Sequence, residues 1–169
     1  MNQHWNEYEW LKQLDTDEIS YLENLPHSIS IPELNLIIVH AGLMPNIELT
    51  EQNPNDLMFL RNIIEHDNFL ESFYGEEKGI EWIKKWQGPQ HIFFGHDAIR
   101  KLQNEFHATG LDTGCCYGNQ LTGCILELNI DPILNFSHKG NKLELDNKHF
   151  IQVDAHEQYY QFPVFKNEK

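Results

Sequence analysis

Two short stretches, LIIVH (36–40) and HIFFGH (91–96), constrain this chain more than anything else in it. Each is a run of consecutive apolar residues that closes on a histidine. A half-buried strand alternates apolar with polar positions, whereas an unbroken apolar run marks a strand covered on both faces, as in a parallel sheet. The pair predicts a mixed α/β fold with His40 and His96 at the C-terminal mouths of neighbouring strands, within roughly ten ångströms of each other. At that edge of a sheet, loops lift polar side chains out of the packed layer, and sites assemble there.

The remaining segments fill in around these strands. Residues 1–25 read as helical, with Trp5, Tyr8 and Leu11 at helical spacing and Asp15 or Thr16 capping a second short helix that runs to Leu25 before Pro26 ends it. SISI (28–31) reads as a strand, Pro32 to Asn35 as a turn and AGLMPN (41–46) as a loop. From Pro54 to Phe73 the apolar residues Leu57, Leu60, Ile63, Ile64 and Phe69 follow helical spacing, interrupted between Asn62 and Asp67. Short helices are expected over 79–86 and 97–103. Segments 106–112, 120–129, 133–140 and 150–155 are β-rich and punctuated by Gly, Asn, Asp and Pro, as in antiparallel hairpins. No repeat or linker interrupts the 169 residues, which suit one domain over 1–157 and a short tail over 158–169.

Charge narrows the partners. Twelve Lys plus Arg against 26 Asp plus Glu leave a net −14, with no basic stripe to neutralise nucleic-acid phosphates or meet an anionic membrane. No apolar run approaches the ~20 residues that cross a bilayer, and the first residues lack a basic segment followed by an apolar one. Cys115, Cys116 and Cys124 are odd in number and clustered, which suits reduced, mostly buried thiols and a cytoplasmic setting.

Imidazole nitrogens are good ligands for zinc, manganese or iron, and Gly42 and Gly95 would let a ligand approach the backbone. A strand-end histidine taken alone is more often a satisfied structural residue. A third segment, TGLDTGCCYGNQLTGCILEL (109–128), turns on glycines around Asp112 and Thr113 and could by itself be an ordinary hairpin.

Together VHAGLMPN, IFFGHDA and GLDTGCCYGNQLTG, with EWIKKWQGP ahead of the second, resemble the calcineurin-like metallophosphoesterases over roughly residues 20–130. The branch resembled holds the symmetrical bis(5′-nucleosyl)-tetraphosphatases and their eukaryotic relatives, next to the Ser/Thr protein phosphatases. The resemblance implies a β-sandwich flanked by helices and hydrolysis of a phosphoester or phosphoanhydride at two divalent metals, Mn, Fe or Zn. Phosphorylated small molecules or phosphoproteins would be the substrates. It implies that His40 and His96 are ligands of one metal and that Arg61 clamps substrate phosphate, a role its bidentate fork suits. Ala98 stands where many other metallophosphoesterases carry a second histidine, in keeping with this branch. Asp97 is expected as a helix N-cap, and Tyr117 either lines the pocket or packs.

The acidic half of that centre has no counterpart in the sequence. Neither Gly-Asp-x-x-Asp nor Gly-Asn-His-Glu occurs, and the one Asp-x-His, Asp154 and His156, lies at the far end without partner motifs. The chain therefore reads as the C-terminal part of a phosphoesterase domain, inactive alone and with one edge and face of its sheet exposed. Two alternatives stand beside it: a pseudo-phosphatase serving as an interaction module, and an unrelated protein that binds one transition metal through surface histidines.

Overall fold

A computed structural model of the chain describes residues 9–127 and 148–161. Trp5, Tyr8, the expected strand over 133–140 and most of the tail lie outside the described residues. The first described element is a 3₁₀ turn, Glu9–Gln13, followed by α1 (Thr16–Glu23). Asp15 caps α1 by accepting from the N–H groups of Asp17 and Glu18, while Glu18 reaches back to the Asp15 N–H. That reciprocal pair satisfies the orphan donors of the first turn and sets where the helix starts.

The next strands are β1 (Ser28–Ile31) and β2 (Leu36–Val39), with the turn at Pro32–Leu34 between them and Asn35 in a left-handed conformation closing it. β6 (His91–Phe94) pairs with β2 in parallel, Leu36 opposite His91 and Ile38 opposite Phe93. β8 (Ala108–Gly110) runs parallel to β6 in turn, and β7 (Gln103–Asn104) closes the sheet as an antiparallel edge. The five strands lie in the order β1-β2-β6-β8-β7. One face of this sheet presents Ile37, Val39, Ile92 and Phe94 to a core completed by Leu43, Leu57, Leu60, Ile63, Trp82 and Ile83.

The segment over 54–73, expected as helical with an interruption between Asn62 and Asp67, is helical only at its start. α2 is only Pro54–Phe59, capped by Asn53, whose side chain accepts from the Asn55 N–H. The chain then extends into β3 (Asn62–Glu65), which pairs antiparallel with β4 (Leu70–Phe73) and with β5 (Ile80–Glu81). Ile63, fully buried, is an inward residue of a strand and not part of a helical stripe. The helix expected over 79–86 shortens to α3 (Trp82–Lys85) after β5. No helix forms over 97–103: residues 98–100 turn, and β7 follows.

β9 (Gln120–Leu126) and β10 (Lys148–Asp154) form an antiparallel pair, as expected for these segments. The inner residues Thr122, Cys124 and Leu126 alternate with Leu121, Ile125 and, across the ladder, Ile151 and Val153, all four of which are exposed. The thiols are free but not mostly buried: Cys115 and Cys124 are half-buried and Cys116 is exposed. No helix among the described residues is long and apolar enough to cross a membrane.

Candidate functional site

Parallel pairing puts the C-terminal ends of β2, β6 and β8 on one edge, and each strand hands the chain to a polar residue there. His40 follows β2, His96 follows β6 and Asp112 follows β8. The ends are tied together: the Gly95 N–H donates to the His40 carbonyl at 2.9 Å, and the Leu111 N–H to the Phe94 carbonyl at 2.8 Å. The imidazoles of His40 and His96 consequently lie with ring centroids 5.0 Å apart. The spacing expected from the two apolar runs is the one found.

The two rings differ in setting. His40 is exposed, whereas His96 is half-buried and its Nε2 is wholly buried without a hydrogen-bond partner. Burial pushes the pKa of His96 down to about 4, with Arg61 and His40 pushing the same way and Asp97 and Asp112 opposing. The ring is therefore neutral at ordinary pH, the form that offers a lone pair to a cation. An unpartnered, buried, neutral imidazole nitrogen beside a second imidazole fits one end of a metal site. It is not a whole one: among the described residues no three His, Cys, Asp or Glu side chains converge.

Arg61 reaches the same edge from the start of β3. Its Nη1 donates to the Tyr74 carbonyl at 2.9 Å, its Nη2 lies 3.5 Å from the His96 carbonyl, and its Nε is 3.4 Å from Glu76 and 4.0 Å from Asp97. Asp97 is not a helix cap, because no helix follows it. It is a buried carboxylate paired with Arg100. Asp112, within reach of the His96 charge, spends its Oδ1 on the Gly114 N–H at 3.0 Å, which fixes the first of the glycine turns. Tyr117 sits close enough to Arg61 and Asp112 to feel both charges, while burial raises its pKa.

Sequence reading missed an aromatic wall. Phe59 lies 6.2 Å from the His96 ring and 6.1 Å from Tyr74, and the Tyr74 hydroxyl donates to Asp56 Oδ1 at 2.9 Å. Asp56 and Phe59 come from the stretch with interrupted helical spacing and Tyr74 follows directly after it, and the division into α2, β3 and β4 brings them together at the site. Gly42 also has a different reason from the one expected: a Cβ there would meet the Trp82 indole at 2.7 Å, so it makes room for a core side chain. At Gly95 a Cβ would meet the His40 carbonyl oxygen at 3.7 Å and the Asp112 Cβ at 3.9 Å, ordinary van der Waals contact that leaves room for a methyl group.

No family model matches the chain. It is 27% identical over 106 residues to the asymmetrical bis(5′-nucleosyl)-tetraphosphatase PrpE of Oceanobacillus iheyensis, covering 62% of this chain and 40% of that protein. The PrpE of Bacillus cereus, of the same name, is 25% identical over 105 residues, 62% of this chain and 42% of its own. A crystal structure described as that of a candidate diadenosine tetraphosphatase superposes with a TM-score of 0.70 at 30% identity, over 88% of this chain and 59% of that one. The chain thus spans about two-fifths of the length of the curated relatives it matches. By its motifs, its fold and these relatives, the chain is related to the calcineurin-like metallophosphoesterases, matching them over part of their length.

Proposed function

We propose that the chain is the histidine-bearing part of a metal-dependent phosphoester or phosphoanhydride hydrolase, with dinucleoside polyphosphates as its substrate class. The observation that carries this reading is the 5.0 Å pair of imidazoles at the mouths of two parallel strands, one with a buried, unbonded Nε2. His40 and His96 would hold one divalent cation, Mn, Fe or Zn. Such a cation, when bound, supplies Lewis acidity and screens the anionic phosphate. Arg61, partly exposed at the same edge, would grip a phosphate oxygen through its guanidinium fork. A chain of net charge −14 otherwise meets phosphate mainly with repulsion, so cations are central to the proposal.

Two imidazoles hold a divalent ion weakly, and carboxylate ligands in the family pattern do not occur in these 169 residues. We infer that residues 1–157 act as a partial domain whose activity requires a polypeptide supplying those carboxylates, and that the free thiols work in the reducing cytoplasm. The test is direct. The chain alone, given manganese and diadenosine tetraphosphate or an aryl phosphate, is expected to show no turnover. Hydrolysis by the chain alone at about 1–10 s⁻¹, an ordinary enzyme rate, overturns the partial-domain reading.

A second reading, a scaffold retained as an interaction module, draws on the lack of three converging ligands among the described residues. It predicts no manganese or zinc binding even after the N-terminal half of a PrpE relative is added.

A further inference from the structure

His96 is the central residue of a strained three-residue turn. Its φ is +64°, and the Asp97 N–H donates to the Gly95 carbonyl at 2.7 Å. A turn closed over two residues with positive φ at its centre is rare for a residue carrying a Cβ, and it persists only where the surroundings over-determine it. One side of the turn is held by the Gly95 N–H on the His40 carbonyl. The other side is held through a side chain.

That side chain is Asp97, only 4% exposed. Its Oδ2 accepts from Arg100 Nη1, while Arg100 Nη2 donates to Asn62 Oδ1 at 3.0 Å and Arg100 Nε lies 3.8 Å from Glu81. Asn62 is itself immobilised at the start of β3, its amide donating to the carbonyls of Lys78 at 2.7 Å and Glu76 at 3.3 Å. A continuous line of polar contacts therefore runs from the β3 hairpin through Asn62, Arg100 and Asp97 to the backbone of His96. The other carboxylate oxygen, Asp97 Oδ1, is buried without a hydrogen bond, 4.0 Å from an Arg61 Nε in the same condition. Arg100 occupies the opposite carboxylate oxygen, while the Arg61 fork lies on the Tyr74 carbonyl and beside that of His96.

We propose that Arg100, acting through Asp97, is a positioning residue that holds the His96 turn and the Arg61 guanidinium at the strand mouth. What the positioned imidazole serves rests on the phosphoesterase reading above; that Arg100 does the positioning does not. Without Arg100, Asp97 is a buried carboxylate whose nearest cation is Arg61. The two close on each other, Arg61 leaves the His96 carbonyl, and the turn relaxes to negative φ.

The experiment is solution NMR on the whole chain, comparing Arg100→Gln, Arg100→Lys and a core control, Ile83→Val, which loosens the fold without touching the site. The readouts are the sign of φ at His96, from its amide–Hα coupling and intraresidue NOE, exchange of the Asp97 amide, and paramagnetic broadening of the two rings by manganese alone. In Arg100→Gln the positive φ is expected to be lost, and Asp97 amide exchange and the manganese concentration that broadens the two rings to rise about tenfold. Arg100→Lys, which keeps a cation for Asp97, recovers most of the effect, and Ile83→Val leaves the turn intact. Should Arg100→Gln fail to fold, Asp97→Asn is read in the same way. A turn that survives both substitutions, or that Ile83→Val disturbs equally, overturns the proposal. If manganese broadens neither ring in the unsubstituted chain, the metal reading fails, and the positioning claim is still decided by φ at His96.

Discussion

At the scale of single residues, His91 shows how differently two histidines of one strand can be used. It is 1% exposed on β6, with Nδ1 3.2 Å from the Phe106 carbonyl and Nε2 2.9 Å from the Thr109 hydroxyl. A carbonyl only accepts, so Nδ1 carries the proton and Thr109 donates to Nε2, while Lys148 Nζ lies 3.1 Å behind the hydroxyl. Burial, with Lys148 adding its charge, brings the His91 pKa down to about 4 from the usual 6.5. In that window the unfolded chain binds a proton that the folded one refuses, so stability falls as pH falls. The contribution is complete above pH 6.5 and is lost progressively toward pH 4. Urea unfolding should show a midpoint that drops across this range, and His91→Gln, whose amide can serve both neighbours, should flatten part of the drop. Gly42 supplies a second residue-level test: Gly42→Ala drives a methyl into the Trp82 indole and should cost about 1–3 kcal/mol in the same assay.

At the scale of elements, β3 carries more than its four residues suggest. Ile63 is fully buried in the core, Asn62 anchors Arg100, and Arg61 enters the site just before the strand begins. Ile63→Ala should therefore lower stability by roughly 2–5 kcal/mol, read as a fall in the urea midpoint without a change in slope. β2 and β6 could be recognised in the sequence as unbroken apolar runs, although only β6 is buried at all four positions and Ile38 of β2 is 41% exposed, and α1 because Asp15 is a residue able to cap it. The 54–73 segment could not. Leu57, Leu60 and Ile63 are three apart, which mimics a helix, but the spacing is shared between the end of α2 and a four-residue strand too short to show its own alternation. The histidine pair was readable for the same reason as its strands. Phe59, Tyr74, Asn62 and Arg100 were not, since each reaches the site through tertiary pairings that no local pattern announces.

At the scale of the whole molecule, the separate two-stranded β9–β10 sheet carries apolar residues that no other described residue covers. Leu121, Ile125, Ile151 and Val153 are 63%, 51%, 51% and 61% exposed on one face of the β9–β10 pair, a contiguous apolar surface of a kind that promotes association. Replacing Ile151 with Thr and Val153 with Lys should reduce light scattering on concentration while moving stability by less than about 0.5 kcal/mol, because neither side chain is packed. A rise in scattering, or a loss of stability comparable to Ile63→Ala, would mean that this face is structural.

The parallel register of β2 on β6 has a kinetic consequence. Leu36 meets His91 only after the intervening chain has looped back, and the β6–β8 pairing must follow the same rule. Closing such loops costs entropy before any contact rewards it, so topologies of this type fold slowly for their size. In a refolding experiment, local structure such as α1 is expected to report early, and the juxtaposition of the two imidazoles among the last events, because no shorter path through the chain brings them together.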